Sequence, residues 1–365
     1  MPLKYTTLEN WGWNFRLENL ASEYFVDSAL IPGRIIAEHR SHWIVITAKE
    51  IMQCAAGGRL GFDAADGQCL WPAVGDWVLL RQSHEGAGVI RNVLPRQSQF
   101  VRNSAGDENR IQVVAANVDI LWITLSMNSD FNPRRMERML VQAAKSGAKP
   151  VIVLTKSDLK FDLKSDIEAQ ARVFESVNNV PVHVVSAVTR QGLPNLFQYL
   201  KEGQTVAIVG SSGVGKSTLV NALLGTDAQL TQEIRLCDDK GRHTTTHREL
   251  FLCPGGGCLL DTPGMRELQL WDASEGVDEV FADLDELAKK CKFGDCTHNS
   301  EPHCAIQMAI NSGIIELDRL NSWKKLQREA NYQENRNNKQ KQLQDKQKWK
   351  SLTKAVRVRN KMNQY

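Results

Sequence analysis

Hydrophobic and polar positions change rhythm twice along the chain. Between residues 31 and 100 the apolar runs are short: IPGRIIAE, SHWIVIT, GDWVLLR and GVIRNVL, each broken by Gly, Pro or Asp. Runs of this length between turn residues predict strands. Their number and spacing predict a small all-β barrel, an OB-fold or SH3-like unit. Ahead of them LENLASEYF has helical character. From about residue 112 strands and helices alternate. VDILWITLSM, KPVIVLT, PVHVVSA and QTVAIVG read as buried strands, separated by the helical stretches RRMERMLVQAAKSG, DIEAQARVFESV and GLPNLFQYLK. KSTLVNALLG adds a helix, and HRELFLC and GCLLDTPG add two strands joined by a PGGG turn. This alternation predicts a mainly parallel sheet with helices on both faces. After about residue 277 the chain turns helical and cysteine-bearing, and beyond about 330 it is rich in Asn, Gln and Lys. That last composition suits an exposed helix or a segment that orders on binding.

Composition refines the picture. The 365 residues have room for two or three domains, and a hydrophobic share of 42% is enough to bury their cores. No apolar run reaches the roughly 18 residues of a membrane span. MPLKYTTLENWGWNF lacks the basic-then-apolar order of a secretory leader. The expectation is a cytoplasmic protein with no membrane partner, whose eight cysteines are thiols or metal ligands rather than disulfides. The net charge of +3 hides an asymmetry: Asn321 to Tyr365 hold 13 Lys/Arg against 3 Asp/Glu, a tail of +10 on a body of −7. A basic tail on an acidic body points to a polyanionic partner, most simply nucleic acid.

Gly210 to Ser217, GSSGVGKS, fits the phosphate-loop pattern in full, and it sits between the apolar strand VAIV and a helical run, the context the pattern requires. Glycines let the backbone amides of Gly210, Ser211, Ser212, Gly213, Val214 and Gly215 curl around a phosphate, with the helix start at Lys216, Ser217 and Thr218 adding positive potential. Lys216 is expected to reach the β- and γ-phosphates and the Ser217 hydroxyl to bind Mg²⁺. Asp261 and Gly264, in DTPG after the strand GCLL, form the D-x-x-G pattern in which the carboxylate holds Mg²⁺ through water and the glycine amide senses the γ-phosphate.

A base-reading element stands earlier. Thr155-Lys156-Ser157-Asp158 ends the strand VIVL. A carboxylate at Asp158 accepts from the ring N1–H and exocyclic amine of guanine, a pair adenine does not offer. Lys156 covers the base with its alkyl stem. Thr155 stands where Asn is usual; its hydroxyl makes one bridging hydrogen bond and lacks the amide's second group. Ser186-Ala187 after PVHVV resembles the short element whose backbone touches the guanine oxygen.

The order TKSD, SA, GSSGVGKS, threonines, DTPG is the usual GTPase circle cut at a different point. It resembles the circularly permuted ribosome-assembly GTPases of the RsgA (YjeQ) family over about residues 31–320, with PAVGDWV at 72–78 and the Cys/His cluster near 300 matching the flanking domains. The resemblance implies an N-terminal OB-fold, a central α/β circularly permuted P-loop GTPase domain and a C-terminal helical zinc-binding domain with a basic tail. It also implies binding to the small ribosomal subunit, its 16S rRNA and ribosomal proteins. The expected division is an extension over 1–30, the OB-fold over 31–111, the GTPase domain over 112–276, the zinc domain over 277–330 and the tail over 331–365.

GRHTTTHREL at 241–250 supplies the threonines of a switch stretch; the family pattern selects Thr245 for Mg²⁺, with Thr244 as alternate. The position after DTPG, where a water-orienting Gln is often found, is Met265. His243 can orient or partly deprotonate water instead, the role the resemblance favours, and His247 is the weaker rival. Cys291, Cys296, His298 and Cys304 supply three thiolates and one imidazole, a closed set for structural zinc, with His303 as a spare. Cys253 and Cys258 read as strand residues. The tail lysines and arginines can neutralise rRNA phosphates, and Trp349 can stack on a base.

These readings converge on a monomeric enzyme that binds GTP and GDP with Mg²⁺ and hydrolyses GTP when stimulated by the small ribosomal subunit in its late maturation. The alternatives are a nucleotide-gated rRNA-binding factor whose hydrolysis is incidental, and an ATP-using relative, against which Asp158 argues.

Overall fold

The computed structural model describes residues 8–24, 29–39, 42–65, 70–83, 86–104, 107–129, 131–159, 164–225, 248–261 and 274–332. It divides into two compact units, Met1–Gln269 and Leu270–Tyr365.

The first unit opens with β1 (Ile31–Glu38), β2 (Trp43–Thr47), β3 (Ile51–Ala56), β4 (Trp77–Gln82) and β5 (Gly88–Val93). β1 pairs with both β2 and β4, β3 runs parallel to β5, and β5 pairs with β4. The order 1-2-3-5-4-1 closes the sheet, with the helix Gly58–Ala65 between β3 and β4. That is a small barrel of the kind the short apolar runs predict, and it fits the OB-fold that the family resemblance implies. β3 and this helix were not among the runs the sequence pattern predicts. IMQCAA alternates, burying Met52 and Cys54, but ends in alanines of weak strand propensity. A separate hairpin, β6 (Gln99–Ser104) and β7 (Asp107–Ala116), follows the barrel.

The nucleotide half contributes β8 (Ile120–Ser126), β9 (Lys149–Thr155), β10 (Val182–Val184), β11 (Thr205–Val209), β12 (Glu249–Leu252) and β13 (Cys258–Asp261). Their order is β10-β9-β8-β11-β13-β12, parallel except for β12. Every residue of β8 and β11 is buried, as continuous apolar strands covered on both faces require. Ile120, Trp122, Val206 and Ile208 pack with Leu219, Val220 and Leu223 of the helix Lys216–Leu224. The helix Pro133–Ser146 is well delimited: Asn132 caps its first amides, Pro133 occupies the first turn, and Gly147 leaves it at φ 83°. Each device suits its end of a helix.

Barrel and nucleotide half meet around one buried cation. Arg34 of β1 is 1% exposed. It donates to the carbonyls of Trp11, Gly75 and Asn117 and to Thr205 Oγ1 at 2.8 Å, with Cys258 Sγ at 3.8 Å. Its guanidinium lies over the Trp77 ring. Burial lowers its pKa, against the opposing pull of Cys258, Asp119 and Asp76. The partners are spread over the extension, the barrel, the residue after β7, and the first residues of β11 and β13.

The second unit holds the helices Ser274–Val280, Ala282–Ala288 and Ala305–Asn311, and a longer one over 317–332. Among the described residues no helix is long and apolar enough to cross a membrane.

Candidate nucleotide site and Cys/His cluster

The sheet has a topological switch point. From β8 the chain adds β9 and β10 on one side, then returns to place β11 on the other. The carboxyl ends of β8 and β11 therefore diverge and leave a crevice, the usual ligand position in an open α/β sheet. Gly210 follows β11 there. A Cβ on it would lie 2.4 Å from the Thr124 carbonyl oxygen of β8, so only glycine passes. Gly213 and Gly215 hold φ of 76° and 101°, the left-handed region that favours glycine.

The helix from Lys216 has Gly215 as its N-cap and no side-chain cap bond. Its first-turn amides thus point at the loop, a ready anion cradle. Lys216 Nζ donates to the carbonyls of Gly210 at 2.9 Å and Ser211 at 2.8 Å, which sets the ammonium across the loop. Val214 is buried, Ser211 is half-buried, and Ser212, Ser217 and Thr218 are exposed.

The element TKSD is tied into this loop. Thr155, the last residue of β9, is 3% exposed, and its Oγ1 lies 2.6 Å from the Val214 carbonyl oxygen and 3.2 Å from that of Leu125. The one hydroxyl proton goes best to the nearer acceptor, so the bridging bond runs to the phosphate loop. Lys156 takes φ 61°. Its Cε would lie 3.9 Å from a Cβ on Gly215, so the alkyl stem runs beside the loop. The Ser157 amide donates to the Val185 carbonyl at 3.2 Å. Asp158 is exposed and accepts from Ser186 Oγ at 2.6 Å. Ser186 is fully buried, and its own Oγ accepts from the Thr189 amide at 3.1 Å. Ala187 packs against the core.

Asp261, 8% exposed, ends β13 opposite Ile208 of β11. TKSD, SA, the phosphate loop and Asp261 thus share the carboxyl edge of the parallel strands. His243, Thr244, Thr245, His247, Gly264 and Met265 lie outside the described residues, as do Cys69, Cys237 and the tail beyond 332. Two participants went unnoticed in the sequence: the Val214 carbonyl as partner of Thr155, and the Ser186 hydroxyl as the group that orients Asp158. A Thr and a Ser after apolar strands signal turns before they signal partners.

In the second unit Cys291, Cys296, His298 and Cys304 bring their ligand atoms within 4.8 Å of one another. Cys291 Sγ and Cys304 Sγ are 3.9 Å apart, and each approaches His298 Nδ1, at 3.6 and 3.5 Å. A tetrahedral ion held at about 2.3 Å by sulfur and 2.0–2.1 Å by nitrogen needs edges of about 3.8 and 3.6 Å. The donor set therefore fits one small ion, and it includes His298 and not His303. His298 is fixed from behind: Gln307 Nε2 and Lys324 Nζ donate to its carbonyl, at 2.8 and 3.1 Å. Glu301 ties the turn, accepting from the amides of Thr297, Asn299 and Ser300 and from the Thr297 hydroxyl. The Thr297 hydroxyl leads the bonds that hold the Glu301 carboxyl down at about 2.

Known proteins resemble this chain in sequence and in fold. A family model described as RsgA GTPase matches residues 93–271, and one described as 50S ribosome-binding GTPase matches 205–343, beginning at the first residue of β11. The "Small ribosomal subunit biogenesis GTPase RsgA 2" of Lactiplantibacillus plantarum is 48% identical over 307 residues, covering 84% of this chain and 85% of its own. The "Small ribosomal subunit biogenesis GTPase RsgA" of Opitutus terrae is 40% identical over 366 residues, 98% of each chain. Among solved structures, YjeQ from Thermotoga maritima superposes with a TM-score of 0.60 at 28% identity, covering 82% of this chain and 98% of that one. YloQ, a circularly permuted GTPase, gives 0.57 at 23%, covering 83% and 95%, a likeness of fold. On sequence, motif order and fold together, the chain belongs to the RsgA GTPase family.

Proposed function

We propose that the protein hydrolyses GTP and acts in late maturation of the small ribosomal subunit, binding rRNA and coupling its GTP state to release or to checking of the particle. The observation that carries this reading is the Thr155–Val214 hydrogen bond, which joins a guanine-reading element to a phosphate loop at one switch point. The names of the relatives, small ribosomal subunit biogenesis GTPases, support the ribosomal part.

In this reading the loop amides of 210–215 and Lys216 hold the β- and γ-phosphates. Thr155, Lys156, Ser157, Asp158, Ser186 and Ala187 hold the base. Ser217, Thr245 and Asp261 would hold Mg²⁺, which offsets charge on the phosphates when bound. Gly264 senses the γ-phosphate, and His243 orients the attacking water. Cys291, Cys296, His298 and Cys304 hold one structural zinc, a role suited to three thiolates and an imidazole that leave no open position. The basic tail and the OB barrel contact rRNA phosphates and bases, and the protein acts as a monomer.

The test is GTP hydrolysis with and without small ribosomal subunits at two salt concentrations, with ATP as control and His243→Ala alongside. The expected result is large, salt-sensitive stimulation, specific to GTP and lost in His243→Ala with subunit binding retained. Turnover indifferent to subunits would overturn the ribosomal assignment. A fully functional His243→Ala in cells would favour the binding factor whose hydrolysis is incidental.

A further inference from the structure

β12 is the outermost strand of the nucleotide sheet, and it is also where that sheet meets the barrel. Glu249, its first residue, stands opposite Asp261 of β13 on one side and opposite Ala37 of β1 on the other. Three strands thus carry one row, Asp261–Glu249–Ala37, from the nucleotide edge into the barrel. Among the described residues the crossing from β12 to β1 is antiparallel, with Ala37 opposite Glu249. A charge pair reinforces it. Arg248 Nη1 lies 3.2 Å from Glu38 Oε2, with side chains 10% and 23% exposed.

The surroundings decide what this pair can transmit. β1 pairs with β2 out to Glu38 and with β4 only over Ile31–Arg34, so a displacement of its Glu38 end reaches β2 directly and β4 through β1 itself. It bears a bulge between Ile35 and Ala37, and a bulge loosens the ladder locally. At the other end of the row, Asp261 is held on both flanks, by Ile208 of the strand leading into the phosphate loop and by Glu249. Arg34 fastens barrel to sheet at the opposite, amino ends of β11 and β13, through Thr205 and Cys258. The halves are pinned there, and Glu38–Arg248 is an ion pair between them at the Asp261 end of the row.

We propose that the Glu38–Arg248 pair is the positioning contact through which the barrel and the nucleotide site sense one another. Nucleotide at the Asp261 edge alters β1, and a ligand on the barrel alters turnover. The second half of this statement rests on the reading that the barrel's ligand belongs to the small ribosomal subunit; the first half does not.

Two readouts separate these halves. The first is backbone hydrogen exchange over residues 31–38 with and without GDP, in the full-length protein, in Glu38→Gln, in Arg248→Gln and in the charge swap Glu38→Arg/Arg248→Glu. GDP is expected to slow exchange in the parent. Each single substitution is expected to shrink that response at least about five-fold, the lower end of ordinary coupling energies, and the swap to recover most of it. The second readout is GTP turnover. Basal rates are expected to stay near the parent's while stimulation by small subunits falls in the single variants and returns in the swap. Exchange over 31–38 that ignores GDP in the parent, single variants that respond as the parent does, or a swap that recovers nothing would each overturn the proposal. A parent that shows the GDP response but no stimulation by subunits would uphold the coupling and strike only the ribosomal reading.

Discussion

The hydroxyl of Thr155 lies 2.6 Å from the carbonyl oxygen of Val214, joining two motifs that stand 59 residues apart. A threonine where an amide is usual keeps the bond that matters for geometry. Thr155→Val preserves the shape and removes the donor, leaving the loop carbonyl unpaired at a cost of about 1–3 kcal/mol. GDP affinity is expected to fall by about tenfold or more, and Thr155→Ser to retain most of it. Fluorescence titration with a labelled GDP checks this.

The Ser186–Asp158 bond makes a sharper test of base selection. Asp158 offers two acceptor oxygens, and Asn at this position offers one acceptor and one donor. Asp158→Asn is expected to lose guanine binding and gain affinity for xanthine nucleotides, whose 2-oxo group accepts. Ser186→Ala removes a charge-assisted bond, worth about 1.5–3 kcal/mol where buried and less at an exposed carboxylate. It is expected to weaken GDP binding by several-fold without changing the base preferred. Competition with GDP, XDP and ADP distinguishes the two variants.

Metal content and folding of the second unit are expected to move together. Cys304 is 2% exposed and stands at the N-cap position of the helix Ala305–Asn311, so a metal bond at its sulfur would anchor the start of that helix. Cys304→Ser or a strong chelator is expected to remove about one equivalent of zinc and melt the 274–332 helices at lower temperature. GDP binding by the first unit is expected to persist. Elemental analysis beside circular dichroism reads both. His303→Ala is expected to change neither.

Buried thiols give the fold a defined alkaline limit. Burial pushes Cys253 up to about 12 and Cys258 up to about 11, against an ordinary value of 9.0. A group whose folded value is raised binds its proton more tightly when folded, so its contribution is complete below pH 9. It declines as pH rises through about 11. Urea midpoints are expected to fall over that window, with a shallower fall in Cys258→Ala. At pH 8 both thiols are expected to resist alkylation in the folded protein and to react once it is unfolded.

What could be read in the sequence followed from short-range pattern. Strands such as VDILWITLSM announced themselves because both their faces are buried, and the phosphate loop because glycine alone fits beside Thr124. The OB barrel was legible as a set of short runs, but its closure depends on β1 meeting β4 far along the chain, Arg34 opposite Trp77. Arg34 is the plainest case of what the sequence concealed. Within IPGRIIAE it reads as a polar break in an apolar strand. Its partners lie between 23 and 224 positions away, and no local rule assigns them. The Ser186–Asp158 bond, 28 residues apart, escaped for the same reason.

The pairing of β1 with β12 has a consequence for solubility as well as for signalling. A sheet that ended at β12 would present unpaired amides and carbonyls along its flank, a template for another chain. The barrel sits on that flank and, through Arg34, under the first residues of β11 and β13. The barrel is thus a shield for its neighbour. A nucleotide-binding half made without it would carry a bare strand edge and the buried sulfur of Cys258 newly open to solvent, and it would tend to stack on its own copies before it ever met a nucleotide.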